Sequence, residues 1–183
     1  MRLRIIFISI LIFIVTSCSN NSIKNDLKEI IGHEIFLPAT VDALSPENTL
    51  KLVQYQRNES CNMCKVGKLD RWLRYSGYYD KHLEFLVIIS PSNNSDRAII
   101  QQREVLEYSE KNRIVKIRFD VNNDFFKANA KIVGNEVYRT LLLDKNNKIV
   151  MVGDPMSNES INKLFIKVVA NMLDHGGVYV PEY

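Results

Sequence analysis

The sequence has few glycines and prolines, with seven and five respectively among 183 residues. These counts are too low for a collagenous or low-complexity segment, and no internal period predicts a solenoid. An excess of charge of one sign is also lacking, because 24 basic residues are nearly balanced by 21 acidic ones. Nucleic-acid binding needs a concentrated basic face, so we expect no nucleic-acid partner. The hydrophobic fraction of 46% is typical of an ordinary globular domain.

The longest apolar run, IIFISILIFIV, occupies residues 5–15. Arg2 and Arg4 precede it and small residues follow it, which is the order of a secretory signal peptide. The run is too short to cross a hydrocarbon core, which requires roughly 20 apolar residues as a helix. We therefore expect residues 1–17 to be a signal peptide, with a retained membrane anchor as the alternative.

The segment Val15-Thr16-Ser17-Cys18 resembles the lipobox of bacterial lipoproteins, in which cleavage before the cysteine is coupled to its acylation. The resemblance implies that Cys18 is the lipidated first residue of the mature chain, held on the membrane by several acyl chains. Residues 18–29 would then be the lipidated cysteine and a polar tether, and residues 30–183 the folded domain. No acidic cluster follows Cys18, so we expect an exported, lipid-anchored domain that faces the periplasm.

Cysteine is scarce, and lipidation of Cys18 would leave Cys61 and Cys64 as the only thiols of the mature chain. Their CxxC spacing, as the whole thiol inventory of an exported domain, favours a redox-active pair. A structural disulfide is the main alternative, although a bridge across two residues closes a very small loop and removes little unfolded-state entropy.

Metal and haem sites fit the CxxC less well. Haem attachment of the c type needs a histidine after the second cysteine, and that position is Lys65. A structural zinc site needs four ligands, and the three histidines are scattered along the chain at His33, His82 and His175. We therefore expect no cofactor.

The residues around the CxxC predict a helix that begins at the cysteines. Ser60 can cap it, and apolar residues recur downstream at intervals of three and four. Cys61 would lie in the first turn, where the helix dipole favours a thiolate over a thiol. Lys65 adds a positive charge nearby.

The rest of the sequence alternates between strands and helices. We predict strands at about 50–56, 84–90 and 113–121, a helix at 96–111, a short helix, and a hairpin of 138–144 with 148–153. A last helix would be capped by Ser157, bury one apolar face, and end at Gly176 and Gly177. The apolar positions of that face are Ile161, Leu164, Phe165, Val168, Val169 and Met172. Parallel strands with a hairpin predict an α/β fold with a mixed central sheet flanked by helices.

This arrangement resembles the thioredoxin fold, in particular the exported TlpA-like and redoxin-like lipoproteins of Bacteroidetes. The similarity covers about residues 30–175 and depends on the entry IGHEIFLP, the CxxC and the hairpin TLLLDKNNKIV. It implies a thiol–disulfide oxidoreductase in which Cys61 is the exposed nucleophile and Cys64 the buried resolving thiol. The implied partners are a protein disulfide substrate and a membrane electron donor, with electrons flowing towards the substrate.

The chain departs from that family at three positions near the expected site, the first of which is Ser60, where the family often has an aromatic residue before the CxxC. Tyr55 stands where many thioredoxins have a buried acid, and Arg139 stands where a cis-proline normally precedes the threonine of the late strand, here Thr140. A non-proline cis bond costs about 2.5–4 kcal/mol, so we expect Arg139 to be trans. Its guanidinium, together with Thr140 and Lys65, could modulate the reactivity of the Cys61 and Cys64 thiols. The alternative is a solvated arginine at a strand start.

Two other functions stay open at this point. Thioredoxin-fold copper carriers hold Cu(I) with two cysteines and a histidine, which would require one of the three histidines to approach the CxxC. A degenerate thioredoxin-like interaction module is favoured by the missing cis-proline.

Overall fold

A computed structural model describes residues 24–38, 49–57, 82–90, 107 and 115–181. Five strands within these ranges form one sheet: β1 (Leu50–Arg57), β2 (Leu83–Ser90), β3 (Val115–Phe119), β4 (Thr140–Leu143) and β5 (Ile149–Val152). The helices are α1 (residues 24–30), α2 (Asp124–Val133) and α3 (Glu159–Asp174), and a short 3₁₀ turn spans Glu136–Tyr138. The predicted helix that begins near Ser60 lies outside the described residues, and the one predicted at 96–111 does so except for Glu107, which is helical.

The sheet has the order β3-β2-β1-β4-β5. The strands β1, β2 and β3 run parallel, whereas β4 is antiparallel to both β1 and β5. All eight residues of β2 are buried, as expected for a continuous apolar run in the middle of a parallel section. The predicted parallel core with an added hairpin is confirmed.

The turn between β4 and β5 is built on Asp144, which is 3% exposed. Its carboxylate accepts hydrogen bonds from the backbone N–H of Asn146 at 2.8 Å and of Lys148 at 2.9 Å. Asn147 adopts a left-handed conformation with φ 59°, which asparagine tolerates better than most residues. These features confirm the predicted hairpin, although its strands are shorter than expected.

Each face of the sheet packs against a helix. On one face α3 contributes Phe165, Val168, Val169 and Met172 to the core. On the other face Phe125 and Val133 of α2 pack with Ile35 and Tyr138.

Two details of the prediction for α3 are wrong. Leu164 is 51% exposed, because the side of the helix on which it lies turns away from the sheet. The cap is Asn158, whose extended backbone lets its side chain accept a hydrogen bond from the Ile161 N–H at 3.0 Å, whereas the Ser157 hydroxyl donates to the Asp154 carbonyl. The predicted end of the helix is confirmed. The helix ends at Asp174, and Gly176, two residues later, has a left-handed φ of 63°.

The first described segment packs along β5 and the hairpin turn. Gly32 N–H donates to the Ile149 carbonyl at 2.7 Å, and Ile35 N–H donates to the Asn147 carbonyl at 2.8 Å. Leu27 and Ile30 of α1 pack against the core, so ordered structure reaches into the stretch expected to be the tether. None of the helices in the described ranges is long and apolar enough to span a membrane.

Candidate functional site

The carboxyl ends of the three parallel strands meet at one edge of the sheet. Arg57 is paired with Ser90 in the register of β1 and β2, and Asp120 follows the last residue of β3. Ligand sites of open α/β sheets form outside the carboxyl ends of their strands. We call Tyr55, Arg57, Ser90, Asp120 and Arg139 the carboxyl-edge cluster.

Aromatic stacking fixes the ring of Tyr55. Its centroid lies 5.5 Å from that of Phe125 and 6.0 Å from that of Phe126, both on α2. The Arg57 guanidinium carbon lies 4.9 Å from the Phe126 ring centroid, in cation–π contact. These contacts hold the end of β1 against the start of α2.

The hydroxyl of Tyr55 is a buried polar group without a hydrogen bond among the described residues. Burial is the main reason why the pKa of Tyr55 is raised above its usual value of 10.0. The Asp120 charge raises this pKa further, whereas the nearby Ser90 hydroxyl and the charges of Arg57 and Arg139 lower it. Ser90 lies close enough for this effect, but the two hydroxyls do not reach hydrogen-bond geometry. Tyr55 is consequently neutral at physiological pH.

Asp120 and Ser90 hold the start of α2. The two carboxylate oxygens of Asp120 accept from the N–H groups of Phe125 at 3.1 Å and Phe126 at 3.2 Å. The Ser90 hydroxyl donates to the side-chain oxygen of Asn123. These bonds satisfy donors at the helix start and orient the two rings that pack on Tyr55.

Arg139 lies beside Tyr55, just before β4, and its side chain is bound to the C-terminal end of α2. Its Nε donates to the Val133 carbonyl at 3.3 Å, and its Nη1 pairs with Glu136 Oε1 at 3.0 Å. The Arg139 carbonyl accepts the Tyr55 N–H at 2.8 Å. The described ranges contain no cis peptide bond, so Arg139 is trans as expected.

The remaining predicted site residues are placed only in part. Thr140 is 8% exposed at the start of β4, opposite Gln54 of β1, and its carbonyl accepts the Gly153 N–H at 2.9 Å. Cys18, Cys61, Cys64 and Lys65 lie outside the described residues. The structure thus brings Arg139 and Thr140 next to β1, and the roles of the cysteines and of Lys65 stay predictions.

The three histidines lie at the opposite edge of the sheet. The His82 carbonyl accepts the Leu50 N–H at 3.3 Å at the start of β1, and the His33 carbonyl accepts the Ile149 N–H at 2.9 Å beside the hairpin turn. His175 ends α3 and is two residues from Gly177, whose carbonyl accepts the Lys145 N–H of the same turn. Eight residues of β1 span about 23 Å between the two edges. Within the described part of the chain, no three metal-ligating side chains converge.

Tyr55 and Arg139 stand out in the sequence, whereas Asp120 and the two phenylalanines that pack on Tyr55 were not predicted. Asp120 begins the segment DVNND, in which several residues could cap the following helix, and this signal could have identified it. The contact of Arg57 with Phe126 has no local signal, because the two residues are far apart in the chain.

Neither a protein-family model nor a curated protein sequence matches the chain. Among solved structures, the chain is similar to a thiol:disulfide interchange protein from Bacteroides sp., with 15% identity, coverage of 68% of this chain and 75% of the other, and a TM-score of 0.43. An uncharacterized thioredoxin-like protein from Porphyromonas gingivalis has 13% identity, covers 73% and 81%, and has a TM-score of 0.44. A secreted disulfide oxidoreductase from Mycobacterium tuberculosis has 12% identity, covers 67% and 81%, and has a TM-score of 0.38.

The strand order decides the fold class. Three parallel strands and an antiparallel hairpin share one sheet, and α2 and α3 cover its opposite faces. The predicted α/β class, thioredoxin-like with a mixed central sheet flanked by helices, is confirmed.

Proposed function

We propose that this chain, whose fold is thioredoxin-like, is a thiol–disulfide oxidoreductase that reduces disulfides of exported proteins with the Cys61–Cys64 pair. The observation that supports this best is the position of β1. The strand ends at Arg57 on the carboxyl edge, and Cys61 follows four residues later. Four residues span at most about 14 Å, so Cys61 lies within that distance of this edge.

The proposed reaction transfers two electrons from the pair to the substrate. The Cys61 thiolate attacks one sulfur of the substrate disulfide, forms a mixed disulfide and expels the other substrate sulfur as a thiolate. The Cys64 thiolate then attacks Cys61 Sγ, which closes the Cys61–Cys64 disulfide and expels the second substrate thiolate. Both leaving thiolates take up protons from solvent. An external dithiol donor is needed to reduce the pair again.

Arg57 is the exposed positive charge at the carboxyl edge, where the negative charge of Asp120 is bound to two N–H groups of α2. Arg57 is exposed and is held over Phe126, so its guanidinium stays at the edge. Arg139 contributes a second positive charge, which the ion pair with Glu136 partly neutralises. A positive environment lowers the pKa of a cysteine, and Lys65 would add to it.

The first experiment measures the redox equilibrium of the full-length chain with Cys18→Ser, so that Cys61 and Cys64 are the only thiols. The chain is equilibrated in graded glutathione buffers, and free thiols are alkylated and mapped by mass spectrometry. We expect reversible two-electron exchange, with Cys61 alkylated faster than Cys64. The midpoint of the titration gives the reduction potential and hence the direction of electron flow.

Single cysteine variants are the controls for this measurement. Cys64→Ser should keep a reactive Cys61 and accumulate a mixed disulfide with glutathione, whereas Cys61→Ser should not accumulate one. A pair that stays bridged in strongly reducing buffer, or two equally slow thiols, would contradict the proposal and favour the interaction module.

We propose further that residues 1–17 are removed, and that acylated Cys18 holds the chain, through the residues between Cys18 and α1, on the periplasmic side of the envelope. Wild-type chain expressed in a bacterium should incorporate a labelled fatty acid and fractionate with membranes. Cys18→Ser should abolish the label, with Cys61→Ser as the matched control that keeps it. Label retained in Cys18→Ser would exclude the lipoprotein assignment.

The copper-carrier alternative is disfavoured by the placement of His33, His82 and His175 at the edge opposite the end of β1. A Cu(I) titration distinguishes the two functions. A copper carrier would lose affinity when one of these histidines is replaced by alanine.

A further inference from the structure

A groove lies between the N-terminal segment and α2. One of its walls is formed by the end of α1 and by residues 33–34, and the other by residues 127–132 of α2. Its volume is about 500 Å³, which is within the range of sites that bind small molecules. None of the residues that line it belongs to the carboxyl-edge cluster, so the groove is a separate feature of the fold.

The first wall exposes one edge of the backbone at Glu34. The other edge of this segment is bonded to the β4–β5 hairpin, because the His33 carbonyl accepts the Ile149 N–H at 2.9 Å and the Ile35 N–H donates to the Asn147 carbonyl at 2.8 Å. The segment forms an antiparallel bridge with the hairpin at Glu34, and in such a pair alternate residues direct their N–H and C=O groups away from the neighbouring strand. Both backbone groups of Glu34 therefore point away from the hairpin. In the part of the chain that the structure describes, neither of them makes a hydrogen bond.

Phe36 indicates what this backbone edge can bind. Its N–H and C=O point to the same side as those of Glu34, two residues earlier, and both are bonded to the side chain of Asn129 at 3.0 Å and 2.9 Å. Asn129 lines the groove from α2. Its amide carries the donor and the acceptor of a peptide unit, so it takes the place of a neighbouring strand at Phe36. The next donor and acceptor along the same edge, those of Glu34, have no such partner among the described residues.

The charges of the groove favour a ligand without net charge. Glu29 and Glu34 lie on one wall, and Lys127 and Lys131 lie on the other. Two negative and two positive side chains nearly cancel, so the groove does not select a simple anion or a simple cation. A peptide backbone is neutral and offers an N–H donor and a C=O acceptor in each residue.

We propose that this groove binds a short peptide in an extended conformation, which adds to the segment at Glu34 as a further strand. The peptide donates an N–H to the Glu34 carbonyl and accepts the Glu34 N–H, as the Asn129 amide does at Phe36. Strand addition to an exposed edge is a recurring mode of peptide recognition, in which main-chain hydrogen bonds supply the affinity. The site uses neither cysteine of the CxxC, so it is independent of the proposed disulfide reduction.

The test is an NMR titration of the isotopically labelled full-length chain that carries Cys18→Ser. The probe is the capped tripeptide N-acetyl-Ala-Ala-Ala-amide, which has no charged terminus. We expect a saturable shift of the Glu34 amide resonance and slower hydrogen exchange of that amide when the peptide is bound. The matched probe has the amide nitrogens of all three alanines methylated, which removes these donors, and it should bind at least about tenfold more weakly.

A second comparison blocks the groove. Ala128 lies at an exposed position of α2 that lines it, so Ala128→Trp places a bulky ring in the space of the peptide. Ala170→Trp is the matched control, because Ala170 is exposed on α3, which packs on the opposite face of the sheet. We expect Ala128→Trp to weaken peptide binding by about tenfold or more, and Ala170→Trp to leave it unchanged.

Three results of the titrations would overturn the proposal: no saturable shift at a probe concentration of about 10 mM, equal affinity for the two peptides, or undiminished binding by a folded Ala128→Trp chain. Slow exchange of the Glu34 amide in the peptide-free chain would also overturn it, because another part of the chain would then already cover this edge. The two peptides are compared on the unmutated groove, so that comparison decides the question even where Ala128→Trp does not fold.

Discussion

Asn129 shows how one side chain can replace a backbone partner. It is 5% exposed within α2 and departs from helical geometry with φ −115° and ψ 16°. Its side-chain oxygen accepts the Phe36 N–H at 3.0 Å, and its amide nitrogen donates to the carbonyls of Phe36 at 2.9 Å and Phe125 at 2.8 Å. The amide therefore acts as a strand neighbour for Phe36 and holds the N-terminal segment against α2.

We predict that Asn129→Ala lowers the free energy of unfolding by about 2 kcal/mol, because it leaves the N–H and carbonyl of Phe36 without partners. Urea denaturation followed by circular dichroism measures this. Lys131→Ala, at an exposed position of the same helix, is the control and should change the free energy by less than about 0.5 kcal/mol. Equal losses in both variants would show that the bonds to Phe36 do not stabilise the fold.

At the scale of elements, the N-cap of α3 is Asn158, one residue later than the predicted Ser157. Ser157 and Asn158 are both good capping residues, and only the backbone conformation decides between them. Asn158 has φ −162° and ψ 166°, so its side chain reaches back to the Ile161 N–H.

Asn158→Ala should therefore lower the free energy of unfolding by about 1 kcal/mol, the typical cost of losing an N-cap. Ser157→Ala removes an exposed hydroxyl that donates to the Asp154 carbonyl at 2.7 Å and accepts from Asn158 Nδ2 at 3.5 Å, and we expect a smaller loss. Thermal or urea unfolding of the two variants side by side gives the comparison. A larger loss of unfolding free energy in Ser157→Ala than in Asn158→Ala would show that Ser157 is the N-cap.

The elements that the sequence predicted well have strong local signals. The apolar run of β2 predicts a buried strand, and Gly176 predicts the end of α3. Leu164 was placed wrongly because a helical period alone does not show how wide the covered face is. The contacts of Tyr55 with Phe125 and Phe126 join residues about 70 positions apart, so local patterns could not predict them.

At the scale of the whole molecule, one face of the sheet buries two tyrosines whose protonated state is favoured by folding. Burial is the largest cause of the raised pKa of both Tyr55 and Tyr138. Near Tyr138, the charge of Asp26 and a hydrogen bond to it raise the pKa further. In the unfolded chain both groups return to a pKa of about 10.

The sign of the resulting pH dependence follows from these directions. Below about pH 10 both tyrosines are protonated in the folded and unfolded states, so they add no slope to stability. As the pH rises above that value, the unfolded chain releases the two protons first, and stability falls until the pH passes the folded pKa values. We therefore expect the urea midpoint to fall as the pH rises above about 10, and to fall less steeply in a Tyr55→Phe, Tyr138→Phe double variant. Comparing the two chains at each pH removes the contribution of lysines, which titrate in the same range. Parallel curves for the two chains would mean that burial of these hydroxyls does not couple their ionisation to folding.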